Sequence, residues 1–119
     1  MSELMAKTRD RSLRRWIHAE HRAWFSAFAT RQVVLEAFDA SISATVREVA
    51  PALTMPTLLI AAERDDLGSV PAQFRMAALV PEGELHVLSG VGHLVHYEAP
   101  AQAAALVRMF LNRHPGAGA

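Results

Sequence analysis

The chain has 119 residues, of which 51% are hydrophobic and 20% charged, a balance that suits one globular domain with its own core and excludes a wholly disordered protein. Lys+Arg and Asp+Glu both number 12, so no net charge recommends nucleic acid or an anionic membrane as partner. Cysteine is absent, which removes disulfides, thiolate metal sites and thiol nucleophiles and points to the cytoplasm; neither a signal-peptide core nor an apolar run of about 18 residues is found.

From Asp10 to Phe28 the sequence reads as a helix, with Leu13, Ile17, Trp24 and Phe28 recurring at helical multiples and no Gly or Pro between them. The basic residues Lys7, Arg9, Arg11, Arg14, Arg15 and Arg22 gather here and read as a solvated face rather than a binding patch. Val33 to Phe38 predicts a second helix. A third is expected with Ser41 as its N-cap and Ile42, Val46 and Val49 on one stripe, stopping near Pro51.

After Pro56 the character changes. Thr57-Leu58-Leu59-Ile60-Ala61-Ala62 is apolar throughout and too short for a helix, which suits a strand buried on both faces of a parallel sheet. A polar loop runs from Glu63 to Ser69. Pro71 is expected to open a helix lasting to Val80, with Phe74, Ala77 and Ala78 facing inward. Glu84 to Ser89 predicts a second strand, and the turn Gly90-Val91-Gly92 follows it, with His93 just beyond. A last helix begins near Pro100 and carries Ala103, Leu106, Val107 and Phe110 on one face, ending at Pro115. Strand, helix, strand, helix in this order implies two adjacent parallel strands, whose apolar edges need neighbours.

In sheets of this type ligands lie beyond the carboxyl ends of the strands, so the loops after Ala62 and Ser89 are where chemistry is expected. Those loops hold Asp65 and His93. A carboxylate beside an imidazole fixes its tautomer and stabilises the imidazolium formed on proton uptake, the pairing nucleophilic hydrolysis uses. Asp66, next to Asp65, is the alternative acid.

These residues carry a resemblance. Met55-Pro56-Thr57 through Asp65 resembles the α/β-hydrolase family's Pro-Thr-Leu, apolar strand, Gly-x-x-Asp signature, with Ala62 where the family has glycine. Gly92-His93, followed by Glu98-Ala99-Pro100, resembles that family's Gly-His, four residues, Glu-x-Pro ending. The resemblance is to the family's C-terminal part. It implies a partial α/β-hydrolase fold, in which residues 1–50 are a helical region like the end of a hydrolase cap and residues 51–119 a core segment with parallel strands. It also implies Asp65 as triad acid and His93 as triad base.

No Gly-x-Ser-x-Gly elbow occurs in the sequence, so the nucleophile is expected on a missing or separate segment. The expected activity is hydrolysis of a small organic ester or lactone, with no metal or organic cofactor implied. The alternative is a truncated, catalytically silent relative that serves as an interaction module. A missing N-terminal segment or a second copy is the expected cover for the open sheet edge.

Within the cap-like region Trp16, Trp24, Phe25 and Phe28 are candidates to line an apolar substrate pocket, Trp24 and Phe28 foremost; the plainer reading is helix-on-helix packing. His18 and His21 share a helix face at a metal-compatible spacing but lack a third ligand fixed by the sequence. His86 and His96 read as structural or solvent-facing, Ser89 lacks the strained turn a nucleophile needs, and Arg64 reads as a solvated loop charge. Glu98 is expected to start the last helix, its charge meeting the helix's positive end.

Overall fold

The computed structural model describes residues 5–24, 29–43 and 45–116, and in residues 38 and 41–43 the backbone alone. Helix α1 spans Arg11–Trp24. Asp10 starts it, its carboxylate oxygen accepting the Ser12 and Leu13 N–H groups at 2.8 and 3.1 Å, which satisfies donors that have no partner within the helix. The expected extension to Phe28 lies outside the described residues. Ile17 is fully buried, in a cluster with Ala6 and Leu94 that Met5, Leu13 and Tyr97 complete.

Helix α2, Arg31–Ser43, corrects the sequence reading: it is one helix where two were expected. Thr30 caps it, its hydroxyl accepting from the Val33 N–H, and Ser41 lies inside it. No Gly or Pro separates Arg31 from Ser43, so nothing stops helix propagation at Phe38. The break comes at Thr45, whose side chain accepts from the Arg47 N–H and starts the 3₁₀ turn Val46–Glu48, followed by a second at Ala50–Ala52.

Strands β1 (Thr57–Ala62) and β2 (Gly83–Leu88) pair in parallel as a two-stranded sheet, with Leu59 opposite Leu85 and Ala62 opposite Leu88. The expectation that β1 is buried on both faces holds only at its carboxyl end. Ala61 and Ala62 are buried, whereas Thr57 to Ile60 are half-buried.

Between the strands runs α3, Val70–Ala77, capped by Ser69, with Pro71 in its first turn and against both strands. Its inward stripe is not the expected one. Phe74 is 58% exposed and Ala78 is exposed, while Gln73, Met76 and Ala77 turn inward with the buried Val80 just beyond the helix. The i, i+3, i+4, i+7 spacing is thus kept but shifted by one residue.

After β2 come a short helix α4, Val95–Glu98, and the closing helix α5, Pro100–Arg113, whose Phe110 is buried. Among the described residues no helix is long and apolar enough to cross a membrane.

Candidate active site

Because β1 and β2 run in the same direction, both deliver their following loops to one edge of the sheet. Backbone bonds carry the pairing past the strand ends: the Glu63 N–H donates to Leu88 O at 2.9 Å and the Arg64 N–H to Val91 O at 3.0 Å. The two loops are therefore fastened together immediately before Asp65 and before His93.

Asp65 sits in a turn that folds back on its own carboxylate. One oxygen, Oδ1, accepts the Leu67 and Gly68 N–H groups at 2.8 and 3.1 Å, the local bonding aspartate favours in turns. The other, Oδ2, lies 2.9 Å from His93 Nδ1. The Asp65 side chain is only 9% exposed whereas that of His93 is 44% exposed, so the carboxylate backs an imidazole that faces outward.

Burial pushes the Asp65 carboxyl up, but the hydrogen bond to His93, the Leu67 and Gly68 N–H donors and the charge of His93 outweigh it and hold the group below its ordinary value. An ionised carboxylate is acceptor-only, so Nδ1 carries the hydrogen of this bond and Nε2 of the neutral ring is left with its lone pair. That is the tautomer a general base needs.

His93 reaches this position through a turn that needs glycine twice. Gly90 has φ +74, a conformation that costs other residues about 1–2 kcal/mol. At Gly92 a Cβ would stand 2.1 Å from the Met5 carbonyl oxygen, because residues 5–7 cross directly over the turn. The Gly92 N–H donates to Glu98 Oε2 at 2.8 Å, and Glu98 Oε1 accepts the Lys7 N–H at 2.7 Å.

Glu98 is thus not the start of the closing helix. It is the last residue of α4, and its carboxylate is spent on two backbone amides; the first-turn role fails because Ala99, not Glu98, occupies the N-cap of α5. Sequence reasoning missed both Glu98 and Lys7 as parts of this site. The available signal was that a glutamate one residue ahead of an uncapped helix start has its carboxylate free for other donors.

Of the two aspartates, Asp65 meets the imidazole, while Asp66 is largely exposed and ion-paired with Lys7 Nζ. Arg64, read as a solvated charge, reaches Lys7 O with Nη1 at 3.4 Å. Trp24 is 58% exposed, its indole N–H donating to Glu20 Oε2 at 3.0 Å, and Phe25 and Phe28 lie outside the described residues. Trp16 is half-exposed and meets the Tyr97 ring edge-on at 5.6 Å between centroids. His96 lies against Tyr97, His86 contacts Glu84 at 2.5 Å, and Ser89 is exposed. No three His, Cys, Asp or Glu side chains among the described residues are grouped to hold a metal.

A protein-family model described as the alpha/beta hydrolase family matches residues 2–106. No curated protein matches the chain in sequence. Among solved structures, a thermophilic esterase from Thermogutta terrifontis superposes with a TM-score of 0.77 at 20% identity, covering 95% of this chain and 42% of that one. Est816, described as an N-acyl homoserine lactone degrading enzyme, gives 0.70 at 27% identity, covering 92% of this chain and 44% of its own. MGS-M2, an α/β-hydrolase enzyme from a Medee basin deep-sea metagenome library, gives 0.68 at 25%, with 92% and 41% covered. The chain therefore spans less than half the length of each of these structures.

Proposed function

Since the chain belongs to the α/β-hydrolase family, we propose that it supplies the acid and base of a hydrolase for small organic esters or lactones, its nucleophile lying on a segment outside this sequence. His93 is the general base and Asp65 the residue that orients it. In that reading Nε2 of His93 takes the proton of the attacking hydroxyl, and backbone N–H groups hold the oxyanion formed at the carbonyl. The same imidazole returns the proton to the leaving group, then activates the water that releases the acid. In the same reading residues 1–50 form the end of a cap, and the exposed Trp24 is its candidate contact to an apolar substrate.

The observation that carries the proposal is the 2.9 Å contact between Asp65 Oδ2 and His93 Nδ1, with the carboxylate largely shielded and the imidazole exposed. Similarity to an esterase and to a lactone-degrading enzyme supports the substrate class. The absence of a Gly-x-Ser-x-Gly elbow from the sequence favours a second reading, a catalytically silent relative that docks on other proteins.

The DNA upstream of Met1 separates the two. A glycine-flanked serine or aspartate elbow after a short apolar strand, in any frame, makes the longer product an enzyme. That product is expected to hydrolyse a p-nitrophenyl ester and to lose turnover in His93→Ala, whereas the 119-residue chain alone is expected to show none. Turnover by the longer product that survives His93→Ala removes the acid–base assignment. If no elbow is encoded, the silent reading stands.

A further inference from the structure

Residues 5–7 cross the two loops that carry Asp65 and His93, and they are held from both sides. Lys7 pairs through Nζ with Asp66 and through its carbonyl with Arg64, the two neighbours of Asp65. Ala6, 5% exposed, packs with Ile17 and with Leu94, the residue after His93. The residue before His93, Gly92, is bridged to Lys7 by a single group, the Glu98 carboxylate, which gives one oxygen to each backbone N–H at 2.8 and 2.7 Å. Met5 O lies so close to Gly92 that a Cβ there would stand 2.1 Å from it.

Only a carboxylate can make this bridge. It offers an acceptor at both ends, whereas an amide of the same shape turns a donor toward one of the two N–H groups. Bonds from N–H to an ionised acceptor are also about twice as strong as neutral ones.

Resting on the assignment of His93 as base, we propose that Glu98 is a positioning residue: by pinning Gly92 to residues 5–7 it fixes the turn from which His93 meets Asp65. The Glu98 carboxylate bonds the Gly92 and Lys7 amides and not the imidazole, so its effect is carried by the geometry of the turn. Loss of the bridge lets the turn move relative to the Asp65 loop, and the Nδ1–H bond is then made for only part of the time.

The test uses the 119-residue chain and needs no turnover, so it does not depend on the missing nucleophile. Long-range ¹H–¹⁵N spectra report the tautomer of His93, and amide exchange reports Gly92 and Lys7. Glu98→Gln removes one acceptor; Glu98→Asp keeps the charge but is a methylene too short to reach both amides. Using both means that a folding defect in one still leaves the other.

In each variant the freed amide is expected to exchange roughly ten-fold faster or more, and His93 to lose part of its Nδ1–H tautomer. Glu82→Gln, at an exposed position preceding β2, is expected to change neither. If His93 keeps the parent's tautomer in both Glu98 variants, the positioning role is overturned while the Asp65–His93 pair stands. If the parent itself shows no fixed Nδ1–H, the pair and the positioning role fall together.

Discussion

Asp65→Asn probes the site with the least disturbance of shape. The asparagine Oδ1 can keep the Leu67 and Gly68 N–H bonds of the turn, so the loop holds, but its NH₂ group now faces His93 Nδ1 where Oδ2 stood at 2.9 Å. The ring must then accept at Nδ1 and carry its hydrogen on Nε2, the nitrogen that has to be free for proton uptake. A bond to a charged group worth roughly 1.5–3 kcal/mol becomes a neutral one worth roughly 0.5–1.5 kcal/mol. With the imidazole 44% exposed, solvent keeps the difference near the low end, about 1 kcal/mol. For a chain of this length that lowers Tm by about 4 °C. The decisive readout is the His93 tautomer by long-range ¹H–¹⁵N NMR, expected to move from Nδ1–H to Nε2–H. In a longer product that carries the nucleophile, the same substitution is expected to reduce kcat about 10⁴-fold. A ring that keeps its hydrogen on Nδ1 in the variant would show that some other acceptor sets the tautomer, and the pairing argument would fail.

Two further outcomes follow from the packing and the charges. Ile17 is the largest fully buried side chain among the described residues, joining α1 to Leu94 beside His93, so Ile17→Ala is expected to cost about 3 kcal/mol in denaturant unfolding; a loss under about 1 kcal/mol would mean that α1 is not docked there. The Asp65 carboxyl is held below its ordinary value, so its contribution is fully present above that value and disappears as the pH falls through the lower value it has in the folded protein. Thermal melts of the parent should therefore drop on acidification below about pH 4, and the gap between parent and Asp65→Asn should close over the same range. A gap that stays constant would assign the acid sensitivity to other carboxylates.

The two strands, their parallel pairing and the meeting of Asp65 with His93 were legible in the sequence because each is written locally. Apolar runs of strand length end in polar loops, and parallel order brings the loop tips to one edge. Helix faces and ends were less legible. The stripe of α3 was set one residue off because periodicity gives spacing but not the face that neighbouring elements cover, and Phe74 proved exposed. The break expected between Phe38 and Ser41 came from reading Ser41 as a cap, when Thr30 and Thr45 supply the side-chain bonds that start the helix and the turn after it. The partners of Glu98 were not legible, since one of them is the amide of Lys7, 91 residues earlier.

The sheet as it stands has covered carboxyl ends and open flanks. Ala61, Ala62 and Val91 are buried, whereas Val87 of β2 and Phe74, Val107 and Leu111 on the helices are exposed. Apolar surface of that kind calls for cover, and the solved structures that superpose on the chain are more than twice its length. The contact between Asp65 and His93 does not wait on that cover. Each bond that holds it comes from residues present here: Leu67 and Gly68 fix Asp65, Arg64 and Val91 join the loops, and Glu98 with Lys7 fixes the turn before His93. The parallel register does the rest, since an antiparallel pair would send the loops after Ala62 and Leu88 to opposite ends of the sheet. Under the proposed function, a nucleophile-bearing segment that docked on the open flank would therefore meet an imidazole already oriented by Asp65.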